Sequence, residues 1–128
     1  MLIDWSEEFD AYLTRLEESV DSVDQQRFRL LLAELSILQN LDQAPTEDAP
    51  SLRRVRQSRR YQVWRVSHPY REGIAVRLIV WFPAGDHAVV ALFAGDKARM
   101  GDVFYDSVGT RADAAIDAWI VQTREEQK

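Results

Sequence analysis

The residues with the clearest capacity for chemistry are cations in the middle of the chain. Arg53, Arg54, Arg56, Arg59 and Arg60 place five guanidiniums within eight positions. A guanidinium is a permanently charged, planar fork of N–H donors that matches phosphate oxygens in pairs. Such density has two readings: a charged strand edge that resists aggregation, or a contact surface for phosphates. Further on, Arg65 stands in YQVWRVS, Arg77 in AVRLIVWF, and Lys97, Arg99 and Tyr105 in the segment that follows the next apolar run. In AVRLIVWF the two-residue period sets Val76, Leu78, Val80 and Phe82 on one strand face and Arg77 with Ile79 and Trp81 on the other. One face builds core while the other presents a cation.

Charge along the chain agrees with that emphasis. The 128 residues carry a net charge of −5, yet residues 1–50 hold three arginines against twelve acids, and residues 51–110 hold ten basic residues against five. Any anion is therefore held by the middle of the chain. Cysteine is absent, which excludes disulfides and thiolate metal sites. His68 and His87 stand in or beside turns without ligand spacing, so no metal site is expected. The segment Ala94 to Gly101 lacks the order GxxxxGK[ST], so no nucleotide cofactor is implied. With no signal-like or membrane-length apolar run, the expected location is the cytoplasm, away from membranes.

The elements that position these residues follow from periodicity. Residues 1–128 are expected to form a single domain. Leu2-Ile3 is a candidate edge strand, and Asp4 three residues before Glu7 forms a capping-box pattern for a helix with Phe9, Leu13, Leu16 and Val20 on its apolar stripe. Ser22 with Gln25 repeats the pattern for a second helix, with Phe28, Leu31, Leu32, Leu35 and Leu38 on its stripe. Asp42 to Ser51 reads as a loop, Leu52 to Gln57 and Tyr61 to Ser67 as strands, and His68 to Gly73 as the return into the Arg77 strand. Pro83 to Asp86 supplies a turn into an almost wholly apolar strand, His87 to Ala94, which such composition places at the centre of a sheet. Thr110 with Asp113 opens a last helix lined by Ala112, Ala115, Ile116, Trp119 and Ile120, with Arg124 to Lys128 fraying. The sum is an α+β domain: two N-terminal helices on one side of a four-stranded antiparallel meander, then a C-terminal helix.

In this order, VWRV, AVRLIVWF, VVALFAGDKAR and VFY behind two amphipathic helices, the chain resembles the RelE/HigB-like toxins of bacterial type II toxin-antitoxin modules. The resemblance runs from about Phe9 to Trp119 and is strongest from Tyr61 to Tyr105. It implies a RelE-like fold, no cofactor, and a ribosome-dependent endoribonuclease that cleaves messenger RNA. It also implies a cognate antitoxin, expected to be of helix-turn-helix type. On it, Arg77 matches the strand arginine and Arg99 the loop arginine, two clamps for a phosphate in its transition state. Tyr105 matches the tyrosine at the end of the loop, a candidate acid or base, and Lys97 belongs to the G-x-K element that holds RNA. Arg65 is an added RNA contact, together with Arg53, Arg54, Arg56, Arg59 and Arg60. Where RelE proper has lysines on the strand corresponding to Tyr61 to Val66, this chain has Gln62, Trp64 and Arg65. Two other functions stay open at this point: a catalytically inactive RelE-fold binding protein, and a ParE-like inhibitor of DNA gyrase.

Overall fold

The computed structural model describes residues 1–67, 73–84, 88–100 and 107–126, with side chains for all of these except Arg99, Met100 and Glu126. Its elements run β1 (Leu2–Trp5), α1 (Glu7–Glu18), α2 (Ser22–Gln39), β2 (Leu52–Arg54), β3 (Val63–Ser67), β4 (Val76–Trp81), β5 (Ala88–Asp96), the single turn α3 (Lys97–Met100) and α4 (Val108–Glu126). The α+β class is as expected. The sheet is five-stranded and mixed, in the order β1-β5-β4-β3-β2, where four antiparallel strands were expected. β2 to β5 form the antiparallel meander, and β1 adds to β5 in parallel, Leu2 opposite Ala88 through Trp5 opposite Ala91. α1 and α2 carry the chain from β1 at one edge of the sheet to β2 at the other, and the pairing of residues 2–5 with residues 88–91 is a contact that no local pattern in the sequence encodes.

Ser6 starts α1, not Asp4. Its hydroxyl oxygen accepts the Phe9 N–H at 3.1 Å and donates to the Leu92 carbonyl, while its N–H reaches the Ala91 carbonyl at 3.0 Å. The N-cap thus ties the helix to the central strand, and Asp4 falls within β1. α2 is capped by Asp21, one residue before the expected Ser22. Val20 lies in the turn between the helices and is 94% exposed, so it leaves the stripe that Phe9 and Leu16 bury.

The two sheet faces bury different partners. Trp64, Val66, Leu78, Val80, Val89 and Ala91 pack with Phe9 and Leu16 of α1 and with Leu31, Leu35 and Leu38 of α2. The opposite face offers Val63, Ile79, Val90, Leu92 and Phe93 to Val108, Ala112 and Ile116 of α4. The three long helices therefore cover both faces, where one covered side was expected. The alternate positions of β3, β4 and β5 explain it, because at one end of the sheet they are as apolar as the first set. A bulge sharpens this: Ile79 pairs with Phe93 and Val80 with Ala91, leaving Leu92 as the extra residue, so Leu92 and Phe93 both enter the second core.

β2 ends at Arg54, three residues short of the expected Gln57, and the chain turns back into β3 while the Val55 N–H still bonds the Val63 carbonyl at 2.8 Å. α4 docks against this turn. A Cβ on Gly109 would meet the Gln57 carbonyl oxygen at 2.2 Å, so only glycine admits the approach. Asp113 lies 2.9 Å from the Ser58 hydroxyl, and Asp117 accepts from both Tyr61 and Arg60. On its other side Arg111 pairs with Glu8 and stacks 4.1 Å from the Phe93 ring centre. α4 stays helical through Glu126, so Arg124 does not fray as expected. The expected turn residues Gly85 and Asp86, both histidines and Tyr105 lie outside the described residues.

Candidate nucleic-acid interface

Strand alternation decides where the sheet arginines lie. Arg65 sits between Trp64 and Val66, and Arg77 between Val76 and Leu78, all four neighbours buried beneath α1 and α2. Both arginines therefore belong to the face turned away from those helices. Arg53 is the direct partner of Arg65 on β2, Arg65 is opposite Ile79, and Arg77 lies two residues from Ile79 along β4. Three adjacent strands thus place Arg53, Arg65 and Arg77 along one diagonal of one face, beside the core that α4 covers. Gly95 of β5 is opposite Arg77 and puts no side chain there.

Arg77 donates through Nη1 to the Val76 carbonyl at 3.1 Å. Its Nε is buried and makes no hydrogen bond among the described residues. A charged donor withdrawn from water without an acceptor costs free energy, on the order of 1–3 kcal/mol or more, so such donors are ordinarily paired. The neighbouring arginines enclose a cleft of about 280 Å³ lined by Asp48, Arg53, Arg54, Val55, Arg56, Gln57 and Arg65. Asp48 accepts the Arg54 N–H at 2.8 Å and lies 3.7 Å from Arg56.

The arginine run of residues 53–60 is thereby divided. Arg53, Arg54 and Arg56 line the cleft with Arg65, whereas Arg59 is exposed outside its lining and Arg60 is bound to Asp117 and lies over the Tyr61 ring. The Tyr61 hydroxyl and Arg60 hold the Asp117 carboxyl below its ordinary 3.8, and the same hydrogen bond together with burial raises the Tyr61 hydroxyl above its ordinary 10.0. Arg60 is thus part of the α4 clamp. Lys97 heads α3, its N–H donating to the Ala75 carbonyl at 2.8 Å. It begins a helical turn, where the resemblance implied a loop. The Arg99 side chain and all of Tyr105 lie outside the description, so these two stay as the resemblance placed them.

A buried ion network behind the Lys97 turn escaped the sequence reading. Asp96 accepts the Ala75 N–H at 2.9 Å and the Ala98 N–H at 3.0 Å with one oxygen, and Arg27 Nε at 2.9 Å with the other. Arg27 in turn donates to Asp24 at 2.8 Å, and Asp24 accepts the Ser19 hydroxyl at 2.9 Å. The Ser19 hydroxyl and then Arg27 hold Asp24 below its ordinary 3.8. Burial works against the charge of Arg27, and its bonds to Asp96 and Asp24 outweigh it. The signal was present: Arg27 stands four residues before Leu31 and three after Asp24, on the buried stripe of α2. Through Asp96 the helices on one face fix the turn that presents Lys97 at the end of β5.

No protein-family model matches the chain, and neither does any curated protein.

Proposed function

We propose that this protein is an endoribonuclease of the RelE/HigB-like toxin kind, cutting messenger RNA by attack of a 2′-hydroxyl on the neighbouring phosphorus. The RelE-like fold is part of the proposal. The observation that carries it is Arg77, a sheet arginine whose buried Nε makes no hydrogen bond among the described residues, on the face opposite the acidic helices. The reaction forms the bond from the 2′-oxygen to phosphorus and breaks the bond from phosphorus to the 5′-oxygen. One proton leaves the 2′-hydroxyl and one reaches the departing oxygen, while charge grows on the other phosphate oxygens.

Arg77 is suited to that growing charge, and in this reading Arg99 is the second clamp, Lys97 holds the RNA strand and Tyr105 moves a proton. The division of charge supports the same face, since twelve acids lie within residues 1–50 and α1–α2 cover the other side of the sheet. No helix among the described residues is long and apolar enough to cross a membrane. A cognate antitoxin of helix-turn-helix type and a translating ribosome are the partners this reading requires.

Induced expression with sequencing of messenger RNA ends tests it. Wild type is expected to stop growth and create new ends, while Arg77→Ala lowers cleavage about a hundredfold or more, as expected when a donor to a developing oxyanion is lost. Tyr105→Phe is expected to abolish it. Growth arrest with intact messenger RNA and halted replication would select gyrase inhibition instead, and no arrest at all would select the inactive binding protein.

A further inference from the structure

We infer that Asp96 is a positioning residue of the cleavage site: from behind the sheet, its carboxylate sets Arg77 and the Lys97 turn in one fixed relation to the phosphate that is cut. The inference rests on the nuclease reading of this face. Asp96 is the residue that the G-x-K element leaves open, and the resemblance gives it no role. It is 5% exposed and lies opposite Val76, on the α1–α2 side, whereas Gly95 beside it lies opposite Arg77. The carboxylate therefore acts through the backbone and does not touch the substrate.

Its bonds converge on the segments that carry the cations. One oxygen accepts the Ala75 N–H at 2.9 Å and the Ala98 N–H at 3.0 Å, and the Lys97 N–H returns to the Ala75 carbonyl at 2.8 Å. Ala75 is thus held through both its polar groups, two residues before Arg77, by the turn that bears Lys97 and Arg99. Capping that turn needs the Ala98 bond alone. The bond to Ala75 adds a constraint between two cation-bearing segments, and Arg27 Nε at 2.9 Å stops the carboxylate from rotating away. Arg27 is itself fixed by Asp24 at 2.8 Å, so the hold reaches back into α2. Precision of this kind matters to a phosphate clamp, because a misplacement of about 1 Å can cost about a hundredfold in rate.

The test compares two double variants that both remove the buried charges of Arg27 and Asp96. Asp96→Asn with Arg27→Gln keeps an amide oxygen for the Ala75 and Ala98 N–H groups and lets the new amide nitrogen donate to the glutamine oxygen. Asp96→Leu with Arg27→Met has a similar shape and no acceptor, and apolar replacement of a buried ion pair at like volume is commonly tolerated. Asp24 loses Arg27 equally in both. Single-turnover cleavage of messenger RNA on programmed ribosomes is measured with protein that circular dichroism shows folded. The polar double variant is expected to cleave within about threefold of wild type. In the apolar one the maximal rate is expected to fall about a hundredfold, while the half-saturating protein concentration stays within about threefold. Amide hydrogen exchange at Ala75 and Ala98 is expected to quicken in the apolar variant alone. Arg111→Gln, which loses a carboxylate partner on the α4 side, is expected to cleave as wild type does. Equal rates in the two double variants, or a loss confined to half-saturation, overturn the positioning role. A lowered maximal rate with unchanged exchange at Ala75 and Ala98 overturns it too. Wild type that cuts no messenger RNA defeats the nuclease reading and the inference together. Wild type that cuts alongside a fully active apolar variant defeats the inference alone.

Discussion

Arginines on the two sides of this sheet have opposite surroundings. On the helical side Arg27, its side chain 11% exposed, is held by Asp96 at 2.9 Å and Asp24 at 2.8 Å. At the β2 edge four guanidiniums line a cleft with a single carboxylate. Arg60 and Arg111, which fasten α4, follow the first pattern, each with its own acid. For Arg27 the carboxylates are required, because a buried cation without one is too costly to keep, whereas Arg60 and Arg111 are more exposed and use theirs to fasten α4. Arg53 and Arg54, exposed at the edge of the sheet, stay in water, where a cation bears no such cost.

The sharpest way to break that contrast is to remove the acid from the paired side. Asp96→Ala strips Arg27 of one partner and leaves two backbone N–H groups, those of Ala75 and Ala98, without their acceptor. Loss of one member of a buried pair costs about 3–5 kcal/mol, so the urea midpoint is expected to fall steeply. Arg53→Ala, on the exposed edge, is expected to shift stability by no more than about 0.5 kcal/mol, and upward if relief of the Arg65 repulsion dominates. Equal costs for the two variants would erase the distinction between architectural arginines and those exposed at the edge.

A second, smaller effect tests how firmly the cleft's end is fixed. Gln57 lines the cleft and its carbonyl lies against Gly109 of α4. On an unobstructed helix Gly→Ala stabilises by about 1 kcal/mol. Here the new Cβ would stand 2.2 Å from the Gln57 oxygen, and backbone cannot yield as a flexible side chain does. Gly109→Ala is therefore expected to destabilise by about 1–3 kcal/mol, read from thermal unfolding. A gain instead would mean that the β2–β3 turn moves freely of α4.

What could be read from the sequence depended on whether the signal was periodic or relational. The faces of β4 followed from two-residue alternation, which is why Arg77 was placed on the side away from Val76, Leu78 and Val80. The stripes of α1 and α2 were visible in the same way, apart from Val20, whose place in a turn the 3.6-residue pattern does not register, and Leu32, which is 45% exposed beside the buried Leu31. The parallel pairing of β1 with β5 was not legible, since four residues carry little period and the partner strand lies more than eighty residues further along the chain. Nor was the side chosen by α4. The arginine run of residues 53–60 read as one unit because charge density is blind to the turn at residues 56–57, beyond which Arg60 meets Asp117. Arg27 was overlooked for the converse reason: an arginine among many acids looks solvated until its position on the stripe is counted.

The mildest perturbation of the contrast is acid. Asp24 and Asp117 both titrate below the ordinary 3.8, the first through Ser19 and Arg27 and the second through Tyr61 and Arg60. A carboxylate that holds its proton more weakly when folded stabilises the fold fully above the unfolded value near 4 and loses that contribution as pH falls through the lowered one. Urea midpoints are therefore expected to decline from about pH 5 toward pH 3 in the wild type. Asp24→Asn and Asp117→Asn should start lower and decline less, because each has surrendered the titrating partner of a bound arginine. Arg59→Gln, which touches neither pair, should follow the wild-type curve. If both asparagine variants keep the full decline, these aspartates interact with water as much as with Arg27 and Arg60, and the paired pattern shrinks to the Arg27–Asp96 bridge.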